Sequence, residues 1–189
     1  MSRKLFAISI LFIVTLLFVG CGGASERTPE EAAVANALNA LQQLDEETME
    51  RYFPNNNPLA NLGDEEEEVL RLFVENISFN IISSSVDGNS AVVKTEITNI
   101  NLGIIFSEYI EQLMETLMAG FLTGAELTEE EMDKMFFDLL KRPDNEMMTT
   151  TVDVRLIKDG YDWVIDADDD FADAVFGGMI GVVEEALGF

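Results

Sequence analysis

The sequence predicts an α+β fold. A bent four-stranded antiparallel sheet of two hairpins is covered by helices, and a helical pair is inserted between the hairpins. Two observations carry this prediction. Apolar and polar residues alternate on both sides of two Gly-containing turn signals, which is typical of hairpin strands. Elsewhere apolar residues recur at spacings of three and four behind clear helix-start signals, which is typical of amphipathic helices.

Two helices are predicted before the first strand. Thr28, Pro29 and Glu31 form a capping-box pattern, and the helix that follows is expected to continue until the Tyr52-Phe53-Pro54 segment. A second helix is expected near Asp64, because the acidic run that follows suits the positive N-terminal end of a helix dipole.

The first hairpin has a register that the side-chain pattern predicts. An odd-numbered loop at the turn signal 87–89 places Phe79 beside Ile97 and Ile81 beside Thr95, so that both pairs lie on one face. The pattern therefore favours a three-residue loop with a bulge at its Gly or Asn.

The second hairpin is expected to turn at the dipeptide 159–160. A two-residue turn there sets Lys158 opposite Tyr161 and Leu156 opposite Trp163. Both large apolar side chains would then lie on the buried face of the sheet.

A helical pair at about 104–142 separates the hairpins. Its first helix has the apolar stripe Phe106, Ile110, Leu113 and Leu117, and its second begins with a capping box at Thr128. A last helix is predicted from 168–170 onward, weakened by ~1 kcal/mol at each glycine of the pair 177–178.

Six methionines lie in the insert and its flank. A role in filling gaps in the packing is favoured for them over a role as an adaptable surface for partners. They are Met114, Met118, Met132, Met135, Met147 and Met148.

The composition excludes several classes of function. The chain of 189 residues has 36 acidic and 11 basic residues, a formal charge of −25, no His and one Cys. Without His there is no Ser/His or Cys/His nucleophile pair and no His-ligated zinc, and a single Cys allows no internal disulfide. The negative charge repels phosphate backbones, so nucleic acid is not an expected partner.

The N-terminus reads as an export signal. A basic start at Arg3 and Lys4 precedes an uncharged apolar run from Leu5 to Val19, which is short of the ~20 residues of a membrane-spanning helix. The small residue Gly20 and the sole cysteine, Cys21, follow directly.

The segment Phe18-Val19-Gly20-Cys21 resembles the lipobox of bacterial lipoproteins, with Phe18 where Leu is commonest. The resemblance implies that the Cys21 thiol receives a diacylglyceryl group and that the chain is cut before it. It divides the chain into a signal peptide (1–20), a lipidated flexible tether (21–27) and one domain (28–189). The protein would then be anchored by lipid on the extracytoplasmic face of the cell membrane, with a formal charge of −27 after Arg3 and Lys4 leave. The alternative is an ordinary signal peptide or a short anchor in which Cys21 is incidental.

The runs 76–101 and 159–173 resemble the strand pairs of small lipoproteins from Gram-positive bacteria. Those proteins have a cystatin-like or nuclear-transport-factor-two-like fold, and most have no assigned function. The resemblance implies helices in the concave face of a bent sheet and a cone-shaped pocket. The inserted helical pair departs from the simplest members of that fold.

The candidate site residues are few. Tyr109 and Trp163 are candidates for lining a ligand pocket, although large aromatics on apolar faces are more often core. Asp166, Asp168 and Asp170 resemble the first half of a calcium loop. An EF-hand loop would need Gly at 171 and Glu at 177, where this chain has Phe and Gly, so helix capping is favoured over calcium.

The expected function is that of a noncatalytic surface lipoprotein that binds a small ligand or a protein partner near the membrane. No cofactor or metal is expected. The alternative is an enzyme that uses a pocket carboxylate of raised pKa, with Tyr109 as an oxyanion donor.

Overall fold

The computed structural model describes residues 27–54, 57–60 and 62–187. The predicted signal peptide at 1–20 and the predicted lipid-attachment residue Cys21 lie outside the described residues, as does most of the tether.

The predicted fold class is confirmed. Four antiparallel strands form one open sheet in the order β1-β2-β3-β4, and two of its three pairings are hairpins, with a helical pair between them. The strands are β1 (Ser78–Asp87), β2 (Ser90–Ile100), β3 (Met147–Asp159) and β4 (Asp162–Ile165). The described helices are α1 (Pro29–Gln43), α2 (Glu46–Tyr52), α3 (Asp64–Val74), α4 (Leu102–Thr123), α5 (Glu129–Leu140), α6 (Asp169–Val175) and α7 (Met179–Leu187).

The first predicted helix is in fact two helices. The capping box forms as expected, since the Thr28 N–H donates to Glu31 Oε2 over 3.2 Å. However, Leu44 adopts φ 55° and ends α1, and Asp45 caps α2 by accepting from the Thr48 N–H at 3.1 Å. The expectation of one helix up to residue 52 is therefore wrong. The spacing of the apolar residues does not show that Asp45 is the N-cap of a new helix.

The first hairpin has the predicted register, but the extra residue that produces it lies in β1 and not in the loop. Phe79 pairs with Ile97 and Ile81 pairs with Thr95, as expected. The loop between Asp87 and Ser90 has two residues, so the predicted three-residue loop is wrong. The register shift falls inside β1, between Ile81 and Ser83, where one extra residue restores the common face.

The second hairpin is displaced from its predicted register. Leu156 pairs with Ile165 and Lys158 with Trp163, because the two loop residues are Gly160 and Tyr161 rather than the dipeptide 159–160. Gly160 has φ 62°, which favours glycine at this first loop position. A displacement of two residues leaves the same side chains on the same face, so Trp163 is still buried.

Helices cover one face of the sheet. α1 contacts β1, β2 and β4, and α6 contacts β2 and β3. The main core lies between these layers, and its largest fully buried side chains include Leu38, Met49, Ile97, Leu156, Val34, Val74, Val93 and Val154. The opposite face carries exposed polar pairs such as Thr98 with Thr149, whose hydroxyl oxygens are 2.7 Å apart.

A second, smaller core lies where the helical insert joins the sheet. It consists of Ile100, Leu102, Ile105, Leu139 and Leu140. The insert forms as predicted, with α5 starting at the Thr128 capping box. Each described helix is too short or too polar to cross a membrane.

The C-terminal helix is interrupted rather than weakened. α6 ends at Val175 and α7 begins at Met179, with positive φ at both intervening glycines. A Cβ on Gly177 would collide with the Ile100 carbonyl oxygen, and the Gly177 carbonyl oxygen accepts from the Gly103 N–H at 3.2 Å. The prediction of one helix through 177–178 is therefore wrong, because the backbone turns there to pack against the end of β2.

Candidate functional site

An apolar cleft of about 140 Å³ opens among the helices that cover the main core. We call this space the apolar cleft. The described residues that line it are Leu41, Met49, Phe53, Pro58, Leu70, Ala167, Phe171, Ala172, Val175 and Phe176. All ten are uncharged and apolar, so the cleft offers shape and apolar contact to a ligand.

The helix break at Leu44 helps to form this cleft. It separates α1 from α2, and Met49 and Phe53, four residues apart, both line the cleft opposite α6. The Phe53 ring stacks on the Phe171 ring with centroids 6.3 Å apart and an interplanar angle of 28°. This pair forms part of the cleft wall.

Asp168 fixes the position of Phe171. Its Oδ1 accepts from the Phe171 N–H at 2.8 Å and so caps α6. Its Oδ2 forms an ion pair of 2.5 Å with Arg155 of β3, which ties the cap to the sheet. Asp168 is therefore engaged in holding α6 in place.

The three aspartates considered for calcium do not form a site in the described part of the chain. Asp166 and Asp170 are exposed, and the Asp166 N–H donates to the Arg155 carbonyl oxygen at 2.9 Å. Among residues 27–54, 57–60 and 62–187, no group of three or more His, Cys, Asp or Glu side chains is placed to hold a metal ion.

Tyr109 and Trp163 lie in different parts of the fold. Trp163 belongs to the main core, with 7% of its surface exposed, and the Lys158 Nζ lies 5.0 Å from its ring centroid. Tyr109 packs on the second core, edge-on to Phe136 with centroids 5.3 Å apart. The structure does not bring the two rings together, and neither lines the apolar cleft.

Among the described side chains of Asp, Glu, Lys and Arg, Glu30 is the one that is buried. Its Oε1 accepts from the Thr28 hydroxyl at 2.6 Å and from the Ser84 hydroxyl at 2.9 Å. Burial raises the pKa of Glu30, but the hydrogen bonds from Thr28, from the backbone and from Ser84 together hold that pKa below its ordinary value. A general acid needs the opposite shift, and Glu30 lies outside the cleft.

The cleft residues are not among the site residues predicted from the sequence. Met49 and Phe53 follow each other by four positions, a helical spacing that could have marked them as one apolar face. Nothing in the sequence shows that α6 crosses that face. Among the described residues no buried side-chain nitrogen or oxygen lacks a hydrogen-bond partner.

Comparison with protein families, curated proteins and solved structures finds no match to this chain.

Proposed function

We propose that the protein is an exported, lipid-anchored, noncatalytic binding protein of the extracytoplasmic membrane face. It holds a small apolar ligand, or an apolar side chain of a protein partner, in the apolar cleft. The observation that carries the binding role is the wholly apolar lining of this cleft, formed by side chains from four helices and the segments beside them.

The size of the cleft limits its ligand. An apolar cavity of about 150 Å³ suffices to bind benzene, and the cleft has about 140 Å³. A single small ring, the end of an alkyl chain or one apolar side chain of a partner is the matching occupant. A drug-sized ligand would need a pocket of ~300 Å³ or more.

Three observations favour a noncatalytic role over the carboxylate enzyme. The chain has no His, and the ten residues that line the cleft carry no ionisable group. Glu30 is buried, but hydrogen bonds hold its pKa low, and a carboxylate that stays ionised at neutral pH cannot donate a proton.

The lipid anchor is proposed from the sequence of the N-terminus. The basic start, the fifteen apolar residues from Leu5 to Val19 and the pair Gly20-Cys21 support it. With a formal charge of −27 after signal removal, the domain would be repelled by anionic headgroups, so the lipid would have to hold it at the membrane.

Binding in the cleft can be tested with methionine methyl signals. Met49 lines the cleft, whereas Met118 lies on the exposed side of α4. In the full-length protein labelled with ¹³C-methyl methionine and held in nanodiscs, toluene or hexanoate should shift the Met49 signal and leave the Met118 signal in place. The Met49 signal is assigned with Met49→Leu.

A variant that fills the cleft gives the matched control. Ala172→Leu adds three carbons to the cleft wall and should abolish the response, whereas Ala119→Leu on the exposed side of α4 should not. Binding in the cleft would be contradicted if neither probe shifted the Met49 signal, or if the shift in Ala172→Leu equalled that in the wild type.

A further inference from the structure

The outer side of α4 carries a continuous apolar surface. We call it the α4 outer face, and it consists of Ile110, Met114, Leu117, Met118, Phe121 and Leu122. Their exposed fractions are 40%, 53%, 46%, 67%, 89% and 83% in that order. The spacings of four, three, one, three and one place all six on one side of the helix.

The protein's own cores do not account for this surface. The buried residues of α4 lie in its first turn, at Leu102, Gly103 and Ile105. Farther along, its inner side meets α5, where Tyr109 packs against Phe136. The expectation that the methionines of the insert fill gaps is wrong for Met114 and Met118, since each residue is more than half exposed.

Such a surface is unusual on a water-facing helix. Single exposed apolar residues are normal, but a contiguous set of six large ones marks a site of contact. Methionine adapts its flexible side chain to partners of different shape, which suits Met114 and Met118 to this role.

The charges beside this face determine what can cover it. α4 contains no Lys or Arg, and the exposed Glu111 and Glu115 border the α4 outer face. Exposed acidic residues continue around the end of the insert at Glu126, Glu129 and Glu130.

The described cations of the insert are engaged within it. Arg142 pairs with Glu108 at 2.7 Å, Lys134 pairs with Asp138 at 2.5 Å, and the Lys141 Nζ lies 5.6 Å from the Phe137 ring centroid. A second copy would therefore bring carboxylates against carboxylates, and an anionic bilayer would bring phosphates against them. A partner with Lys or Arg beside apolar residues is complementary.

We propose that the α4 outer face binds a basic, amphipathic helical segment of a partner protein. The partner's apolar side would cover Phe121, Leu122 and the two methionines, and its cations would flank Glu111 and Glu115. This surface is separate from the apolar cleft, whose described lining lies on α1, α2, α3, α6 and the segments beside them.

A synthetic helix of Leu and Lys, with the leucines on one side, is the probe. It is added to the full-length protein in phosphatidylcholine nanodiscs at 0.15 M salt, and empty discs correct for binding to lipid. We expect the methyl signals of Met114 and Met118 to shift and a labelled peptide to bind with micromolar affinity. The same peptide with Glu in place of Lys should not bind.

Variants separate specific docking from general attraction to an acidic protein. The double variant Phe121→Ser, Leu122→Ser keeps every charge and should weaken binding about tenfold or more, because these are the most exposed apolar residues of the face. Glu111→Gln with Glu115→Gln should weaken it several-fold. Tyr161→Ser removes a fully exposed aromatic at the β3–β4 turn and should leave binding unchanged.

Four outcomes would overturn the proposal. They are absence of peptide binding, equal binding by the Phe121/Leu122 variant, broadening of the Met118 signal by a spin-labelled lipid before peptide is added, and self-association through this face. The third result would assign the face to the bilayer, and the fourth to a second copy.

Discussion

The side-chain Nδ2 of Asn99 donates a hydrogen bond of 2.7 Å to the carbonyl oxygen of Val175, the last residue of α6. The same nitrogen donates to the Phe73 carbonyl oxygen at 2.8 Å, and the Asn99 Oδ1 accepts from the Ile100 N–H at 2.8 Å. One fully buried amide on β2 therefore satisfies the ends of two helices that cover the sheet.

We expect Asn99→Ala to destabilise the fold more than its size suggests. The Val175 carbonyl oxygen, whose hydrogen bond is buried, and the Phe73 carbonyl oxygen, whose hydrogen bond is partly buried, both lose their donor. A buried group left unsatisfied costs about 1–3 kcal/mol. Urea denaturation followed by circular dichroism measures the loss. Asn80→Ala is the matched control, because Asn80 is exposed and bonds only the Glu96 side chain among the contacts described, so its loss should be within ~0.5 kcal/mol. Equal effects of the two substitutions would contradict this account.

Gly177→Ala should destabilise the fold much more than Gly160→Ala does. Both positions have positive φ, near 55° and 62°, so both substitutions cost ~1–2 kcal/mol of backbone energy. At Gly177 the new Cβ also meets the Ile100 carbonyl oxygen, whereas nothing lies within 4 Å at Gly160. We expect a total loss of about 3 kcal/mol or more at Gly177. Thermal unfolding of both variants compares the losses, and similar melting temperatures would show that α6 and α7 dock differently.

The fluorescence emission of Trp163 should show that its side chain is buried in the folded protein. It is the only Trp of the chain and 7% exposed, so its emission should lie at short wavelength and move to long wavelength on unfolding. Trp163→Ala should cost about 3–5 kcal/mol by emptying a large site in the main core. Trp163→Phe, which keeps most of the apolar volume, should lose markedly less. If the folded protein shows the emission of a solvated indole, Trp163 lies on the exposed face of the sheet and the assignment of the two faces is wrong.

Glu30 should contribute to stability in a pH-dependent way. Its pKa in the folded protein lies below the ordinary 4.5, so the contribution is present above pH 4.5 and is lost as the pH falls through the lower folded value. We therefore expect Glu30→Gln to destabilise the protein at pH 7, with a difference from wild type that shrinks below pH 4.5. Ser84→Ala, which removes one donor, should give part of the same effect. Urea midpoints between pH 7 and pH 3 test this, and a difference independent of pH would refute it.

Cys21→Ala should abolish lipid attachment, because the Cys21 thiol is the proposed acceptor and the chain has no other cysteine. Metabolic labelling with a fatty-acid analogue followed by gel fluorescence is the measurement. The variant should also accumulate uncut, since cleavage in bacterial lipoproteins follows lipid transfer. Labelling of Cys21→Ala equal to that of the wild type would rule out the anchor.

Local signals predicted most of the secondary structure. The capping boxes at Thr28 and Thr128 gave two correct helix starts, because their side chains satisfy the first N–H groups within four residues. Strand alternation gave the correct partners for Phe79 and Ile81, because a one-residue slip would turn the apolar face outward.

The errors occur where backbone geometry depends on distant contacts. The bulge could be placed in the loop or in β1 with the same alternation, and only the complete sheet shows that it lies beside Ile82. The break at Gly177 follows from its approach to Ile100, far away in sequence. The apolar cleft depends on α6 crossing the end of α2, and the amide of Asn99 reaches two carbonyls on different elements, so neither has a local signature.

The contact between the start of the domain and β1 determines how far along the sheet the helical insert lies from the start of the domain. The Thr28 hydroxyl lies 3.4 Å from that of Ser84, whose partner on β2 is Val93, whereas α4 departs after Ile100 at the other end of that strand. At ~3.3 Å per residue the stretch Val93–Ile100 measures about 23 Å. If lipid holds the chain at Cys21, the sheet separates the root of the helical insert from the start of the domain at Thr28 by that distance along the strand.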